Sequence, residues 1–259
     1  PGKFEVISLL GYFHGRTLAT VAATGQPRFH QGFEPMPAGF VHAEFGDIAA
    51  IEALIGPQTC AILCEPLQGE SGVRPLETGY LQAIRALCDR HGLLLIFDEV
   101  QTGLGRTGTL FAHEQLGVTP DIMTLAKALG NGLPISAMLA REEVAASFTP
   151  GSHASTFGGN PVAAAAATEV LRTLLAPGFL ASVQEKGAYF SAQLEQLARE
   201  FPRWAVAARG RGLLLGLVLT EEGINRGADI VTLMFQRGII INFAGNQVLR
   251  FVQPLLVSK

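Results

Sequence analysis

The order of hydrophobic patterns along this chain predicts an α/β fold, with a mostly parallel sheet flanked by helices in a large domain and a small α/β domain after it. Three observations carry that expectation. Short, β-rich apolar runs alternate with longer segments of helical periodicity, as in a sheet whose strands are joined by helices. Charged side chains stand at the ends of two of those runs. Beyond Pro202 the composition shifts toward short strands.

In chain order, strands are expected at residues 4–10, 60–65, 93–98, Ile122–Leu125 and 135–140. Between the second and third, Leu81, Ile84, Leu87 and Cys88 recur at helical spacing and Gly92 follows as a stop signal, so a β-α-β unit is predicted. An Ala-rich helix opens at Asn160 and closes before Pro177 and Gly178. A second helix carries Val183, Tyr189, Phe190, Leu194 and Leu197 to Phe201. The remainder reads as strand 213–219, helix 228–237 and strands 238–243 and Val248–Phe251. The domain boundary is expected at residues 175–178, giving units 1–176 and 177–259. Both ends are abrupt, so both domains are expected to be incomplete.

A chain of 259 residues, 48% hydrophobic and 16% charged, holds enough apolar material for one large core plus a small one. A net charge of -3 with no basic stripe argues against nucleic acid as a partner. Apolar stretches are broken before they reach bilayer-spanning length, and no signal-peptide pattern opens the chain, so a cytoplasmic protein without membrane contact is expected. Cys60, Cys64 and Cys88 lie in apolar runs without zinc-ribbon spacing, which predicts buried thiols and no metal.

The predicted strand ending in Asp98 runs into Glu99, Val100 and Gln101, and the strand ending near Leu125 runs into Lys127. Open α/β sheets place ligands at the carboxyl ends of their strands, so a carboxylate and an amine are expected to face one pocket. From these strand ends alone two readings stay open. One is a structural ion pair. The other is the pair that pyridoxal phosphate requires: an amine that bonds its aldehyde and an acid that keeps its pyridine nitrogen protonated.

Separated blocks weigh on that choice: GYFHGRT from Gly11, EPLQGESG from Glu65, DEVQTGLGRTG from Asp98, TLAKALGNGLP from Thr124, STFGGNP from Ser155, RGRGLLLG from Arg209 and LRF from Leu249. In this order they resemble the class III aminotransferases, a group that includes acetylornithine, ornithine and 4-aminobutyrate aminotransferases. The resemblance implies a fold-type I transferase dependent on pyridoxal phosphate, with a seven-stranded type of large domain. It implies that Lys127 holds the cofactor as a Schiff base and later moves protons, that Asp98 pairs with the ring nitrogen, and that Gln101 approaches the phenolic oxygen within the stretch Asp98, Glu99, Val100 and Gln101. Phe13 then matches the aromatic residue stacked on the ring, and Arg16 the arginine that binds a substrate carboxylate. Thr156 matches a threonine that holds the cofactor phosphate across the interface of a homodimer, and Ser155 a residue that touches substrate. Glu70 and Arg250 resemble a gate that closes for an amine substrate and opens for the second carboxylate of glutamate. His14, with no nucleophile beside it in the sequence, reads as structural.

The implied reaction moves the terminal amino group of N-acetylornithine, or of a related acylated ornithine or lysine, to 2-oxoglutarate in arginine or lysine biosynthesis. A 4-aminobutyrate aminotransferase is the nearest rival, although that group usually has tyrosine where this chain has Phe157. A glutamate-1-semialdehyde aminomutase ranks below both. A non-catalytic remnant that kept the fold is the alternative of another kind, since the family's upstream Gly-rich phosphate turn and its terminal helix are expected to lie outside this sequence.

Overall fold

The computed structural model describes residues 2–258. Its elements in chain order are β1 (Glu5–Leu9), α1 (Leu18–Ala23), β2 (Phe40–Ala43), α2 (Ile48–Leu54), β3 (Thr59–Cys64), β4 (Leu67–Gln68), β5 (Arg74–Pro75), α3 (Thr78–His91), β6 (Leu94–Asp98), β7 (Ile122–Leu125) and β8 (Ala137–Ala140). Then come α4 (Glu142–Ala145), α5 (Pro161–Leu174), α6 (Phe179–Glu200), β9 (Ala205–Arg211), β10 (Leu214–Leu219), α7 (Glu221–Ile224), α8 (Gly227–Gln236), β11 (Asn242–Ala244) and β12 (Val248–Phe251). No single helix is long and apolar enough to cross a membrane.

Six strands form the main sheet in the order β2-β1-β3-β6-β7-β8, against the seven implied by resemblance. The first five are parallel, and β8 closes the edge antiparallel to β7. Order reverses between β1 and β3, and at such a switch point the loops leaving adjacent carboxyl ends diverge and open a crevice. Burial explains the central place of strand β6: Leu95 and Phe97 are wholly enclosed, joining Ile7, Leu9 and Ile62 from β1 and β3. Helix α3 covers β3 and β6 with Leu81, Ile84, Leu87 and Cys88, and Gly92 ends it in the left-handed conformation at φ 61°. Of the three cysteines, Cys64 and Cys88 are buried and Cys60 is only half-buried.

The second sheet is antiparallel, in the order β11-β12-β10-β9, and α6 packs its Leu194 and Ala198 onto Leu215, Leu217 and Leu249. Asn160 caps α5 by accepting the Ala163 amide at 2.9 Å, with Pro161 as the first helical residue. The strand expected at 238–243 shrinks to Asn242–Ala244. Its first residues instead close α8, because the Gly238 amide donates to the Phe235 carbonyl and the Ile239 amide to that of Met234. Arg106 rivets the two sheets together: its Nη1 donates to the carbonyls of Leu213 at 3.2 Å and Gln253 at 2.6 Å.

A single cross-strand row runs through all four strands of the second sheet. Asn242 lies opposite Arg250, Arg250 opposite Gly216, and Gly216 opposite Arg209. The two arginines reach the loop at Gly69 and Gly72, and Gly216 leaves room for two valines: a Cβ there would stand 2.4 Å from Val248 and 3.3 Å from Val73.

Candidate active site

Four parallel strands deliver their carboxyl ends to one edge of the main sheet. From β1 comes the loop bearing Phe13 and His14, from β3 Glu65 to Glu70, from β6 Asp98 to Gln101, and from β7 Lys127. Asp98 is 7% exposed, and its two oxygens are held separately. Oδ1 accepts the Val100 amide at 3.0 Å, and Oδ2 accepts from His14 Nδ1 at 2.9 Å. His14 is therefore part of the site, contrary to its structural reading. Its side chain is buried, and its other ring nitrogen, Nε2, has no partner among the described residues.

Lys127 opens a short 3-10 turn in the left-handed region, at φ 45°. A non-glycine residue held there carries roughly 1–2 kcal/mol of backbone strain, a cost typical of functional positions. The side chain keeps substantial contact with solvent, yet it stands in a concave setting of protein. The loss of surrounding water pushes its amine below the ordinary lysine value, against the opposing pull of Glu65 and Asp98. Beside it opens a pocket of about 650 Å³ lined by Ser155, Phe157 and Asn160 among others.

Glu65 is the residue that sequence reasoning overlooked. It is 2% exposed, accepts the Phe13 amide at 3.2 Å and the Gly69 amide at 3.3 Å, and faces Asp98 and Lys127. Burial, with the neighbouring Asp98 carboxylate added, raises its pKa to about 8. The signal that could have found it is the strand-end rule that found Asp98, since Glu65 closes the strand expected at 60–65.

The other expected residues divide. Gln101 lies flat on Gly69, where a Cβ would come within 2.6 Å of its amide oxygen. Arg250 Nη1 donates to Glu70 Oε2 at 3.1 Å and to the Gly69 carbonyl at 2.7 Å, so these two do meet, above Lys127's surroundings. Phe13 meets Phe29 edge to face, and the exposed Arg16 lies over the Phe29 ring at 4.5 Å. Glu99 turns away: its carboxylate is taken up by the Thr102 hydroxyl and the amides of Ala112 and His113, so only its backbone borders the site. Thr156 sits on an exposed loop and makes no side-chain hydrogen bond among the described residues.

An amine depressed by its surroundings, a buried acid fixed by a histidine, and a flat aromatic beside them fit pyridoxal phosphate, and define a site of the fold-type I class that uses it. Comparison narrows the class. The model of the class-III aminotransferase family matches residues 1–259, and the chain belongs to that family, whose cofactor is pyridoxal phosphate. It is 53% identical to the acetylornithine aminotransferase of Myxococcus xanthus, covering 100% of this chain and 64% of that protein. It is 49% identical to the succinylornithine transaminase of Yersinia enterocolitica, over 99% of this chain and 62% of that one. The ornithine aminotransferase of Toxoplasma gondii superposes with a TM-score of 0.93 at 36% identity, covering 100% of this chain and 62% of that structure. The chain thus spans less than two thirds of the length of these relatives.

Proposed function

We propose that this chain carries the catalytic face of an aminotransferase that moves the terminal amino group of N-acetylornithine, or a related acylated ornithine or lysine, to 2-oxoglutarate, leaving the semialdehyde and forming glutamate. The observation that carries this reading is the convergence of Lys127 and Asp98 at adjacent strand ends beneath the Glu70–Arg250 pair. Bound pyridoxal phosphate supplies a conjugated ring that withdraws electrons from the substrate's nitrogen-bearing carbon. Asp98 holds the proton of the ring nitrogen, and His14 fixes the carboxylate that does so. Lys127 Nζ would hold the cofactor through its aldehyde, and as a free amine it would carry a proton between the nitrogen-bearing carbon of the substrate and the cofactor carbon on the other side of that nitrogen. Phe13 presents its flat face to the ring, Gln101 approaches the phenolic oxygen, and Arg16 binds a substrate carboxylate. Ser155, which lines the same pocket as Lys127, touches the substrate.

Glu70 neutralises Arg250 while the amine donor is present and yields it to the second carboxylate of 2-oxoglutarate. A homodimer in which Thr156 holds the cofactor phosphate of the partner subunit is part of the same reading. Exposed apolar side chains support it: Phe157 at 81% and Val162 at 68% need cover. The division into units 1–176 and 177–259, a cytoplasmic setting and a place in arginine or lysine biosynthesis complete the proposal.

The test compares turnover of N-acetylornithine and 4-aminobutyrate with 2-oxoglutarate in the cofactor-loaded protein. N-acetylornithine is expected to be the faster substrate, and equal or reversed rates overturn the assignment. Lys127→Ala is expected to lose the visible cofactor band and at least ~10³-fold of turnover. An unchanged band defeats the lysine's role.

A further inference from the structure

Arg250 is held by three acceptors, and only one of them belongs to the gate. Nη1 donates to Glu70 Oε2 at 3.1 Å and to the Gly69 carbonyl at 2.7 Å, while Nε donates to Asn242 Oδ1 at 3.0 Å. Asn242 stands directly across from Arg250 in the β11–β12 register, so the two side chains leave the sheet on one face as a cross-strand pair. The remaining donor group, Nη2, has no partner among the described residues. The two members of the ion pair are unequally enclosed: the Arg250 side chain is 12% exposed and that of Glu70 32%. When the pair separates, the freer carboxylate is the one that can turn to water at low cost, and the guanidinium stays.

From this geometry we infer that Asn242 is a specificity-determining positioning residue, which keeps the Arg250 guanidinium in place near Lys127 once Glu70 has released it, so that it can take a dicarboxylate. The inference rests on the proposed gate. While Glu70 is in place, Arg250 has a charged partner and the Gly69 carbonyl, and Asn242 adds little. After Glu70 leaves, Nε–H···Oδ1 is the one side-chain bond among the described residues still fixing the guanidinium plane, and the Nη1–Nη2 end becomes the docking fork for a carboxylate. Loss of that bond lets the arginine's long side chain sample other rotamers, and the incoming substrate must then order it at its own expense. The burden falls on the dicarboxylate half-reaction alone. An exposed position at the sheet edge makes Asn242 replaceable without cutting into the core.

The experiment uses the cofactor-loaded protein with Asn242→Ala and with Asn242→Leu, the latter similar in size but without an acceptor. Two quantities are read: the ratio of KM for 2-oxoglutarate to KM for the amine donor, and the calorimetric affinity for glutarate, a dicarboxylate that has no keto group to react. Both variants are expected to raise the ratio and weaken glutarate binding by about tenfold, the usual effect of one hydrogen bond to a charged group. An unchanged glutarate affinity, or KM values that move together for both substrates, overturns the role of Asn242. Arg250→Ala separates this failure from that of the gate. If Arg250→Ala weakens glutarate and the Asn242 variants do not, the gate stands and the inference falls. If Arg250→Ala leaves glutarate binding unchanged, Arg250 is not the carboxylate receptor and both fall.

Discussion

At the amino edge of the parallel strands, Asp121 accepts the Leu95 amide at 2.7 Å, Arg85 at 2.7 Å and Arg141 at 2.9 Å, whereas at the carboxyl edge Glu65 is also hidden and has no cation bonded to it among the described residues. Burial alone would raise both acids. At Asp121 it is outweighed by the amide and the two guanidinium groups, and the pKa falls below the ordinary value. At Glu65 it is reinforced by Asp98, and the pKa climbs to about 8. One sheet thus keeps an acid neutralised by arginines where it needs rigidity, and at the other end an acid held only by backbone amides beside a second carboxylate, which is how perturbed groups come to mark functional ends of a fold.

The contrast between the two edges is most exposed to test at Asp121. Asp121→Ala removes the acceptor of the Leu95 amide and one of the two carboxylates on Arg85, and is expected to cost about 3–5 kcal/mol in denaturant unfolding. The parent's Asp121 contribution is complete above the unfolded carboxylate value and is lost as pH falls below it, so the variant should lack that part of the acid limb. Stability within about 1 kcal/mol of the parent would mean the arginines are ornamental.

Glu65→Gln tests the other edge. A carboxyl whose folded pKa is raised favours the fold fully below its unfolded value and loses that contribution as pH rises through about 8. Unfolding measured from pH 5 to 9 should show the parent weakening relative to the variant, by on the order of 4 kcal/mol at the alkaline end. Parallel curves would show that Glu65 is ionised throughout.

His14→Phe removes the donor to Asp98 Oδ2 and should weaken cofactor affinity about tenfold, read by equilibrium titration. An unaltered affinity would return His14 to the structural role its sequence suggests. The mildest change is Asp89→Ala, which deletes the exposed partner of Arg85 at i,i+4 and should cost only ~0.3–0.5 kcal/mol. A loss as large as that of Asp121→Ala would show that Arg85, rather than Asp121, anchors the amino edge.

The fold is legible in the sequence where local pattern and tertiary burial agree. Strand Ile122–Leu125, strand Val248–Phe251 and helix Thr78–His91 with its Gly92 stop follow from periodicity and turn chemistry, and Lys127 with Asp98 from strand ends. Strand Phe40–Ala43 escapes the pattern because only Ala43 in it is fully buried, so no alternation marks it. Ala205–Arg211 escapes it because alanine, glycine and arginine are poor strand formers, and the strand exists through its pairing with β10. His14 and Asp98 are 84 positions apart, and no local signal foretells their bond.

The row Asn242, Arg250, Gly216, Arg209 also suspends the loop that carries Glu70. Arg250 grips the carbonyl of Gly69, and Arg209 that of Gly72 at 2.8 Å, so the stretch that brings Glu70 near Lys127 hangs from a sheet that does not carry the lysine. A tilt of the four-stranded layer carries that stretch with it. The Glu70–Arg250 pair is thus placed by one layer and the Lys127–Asp98 pair by another.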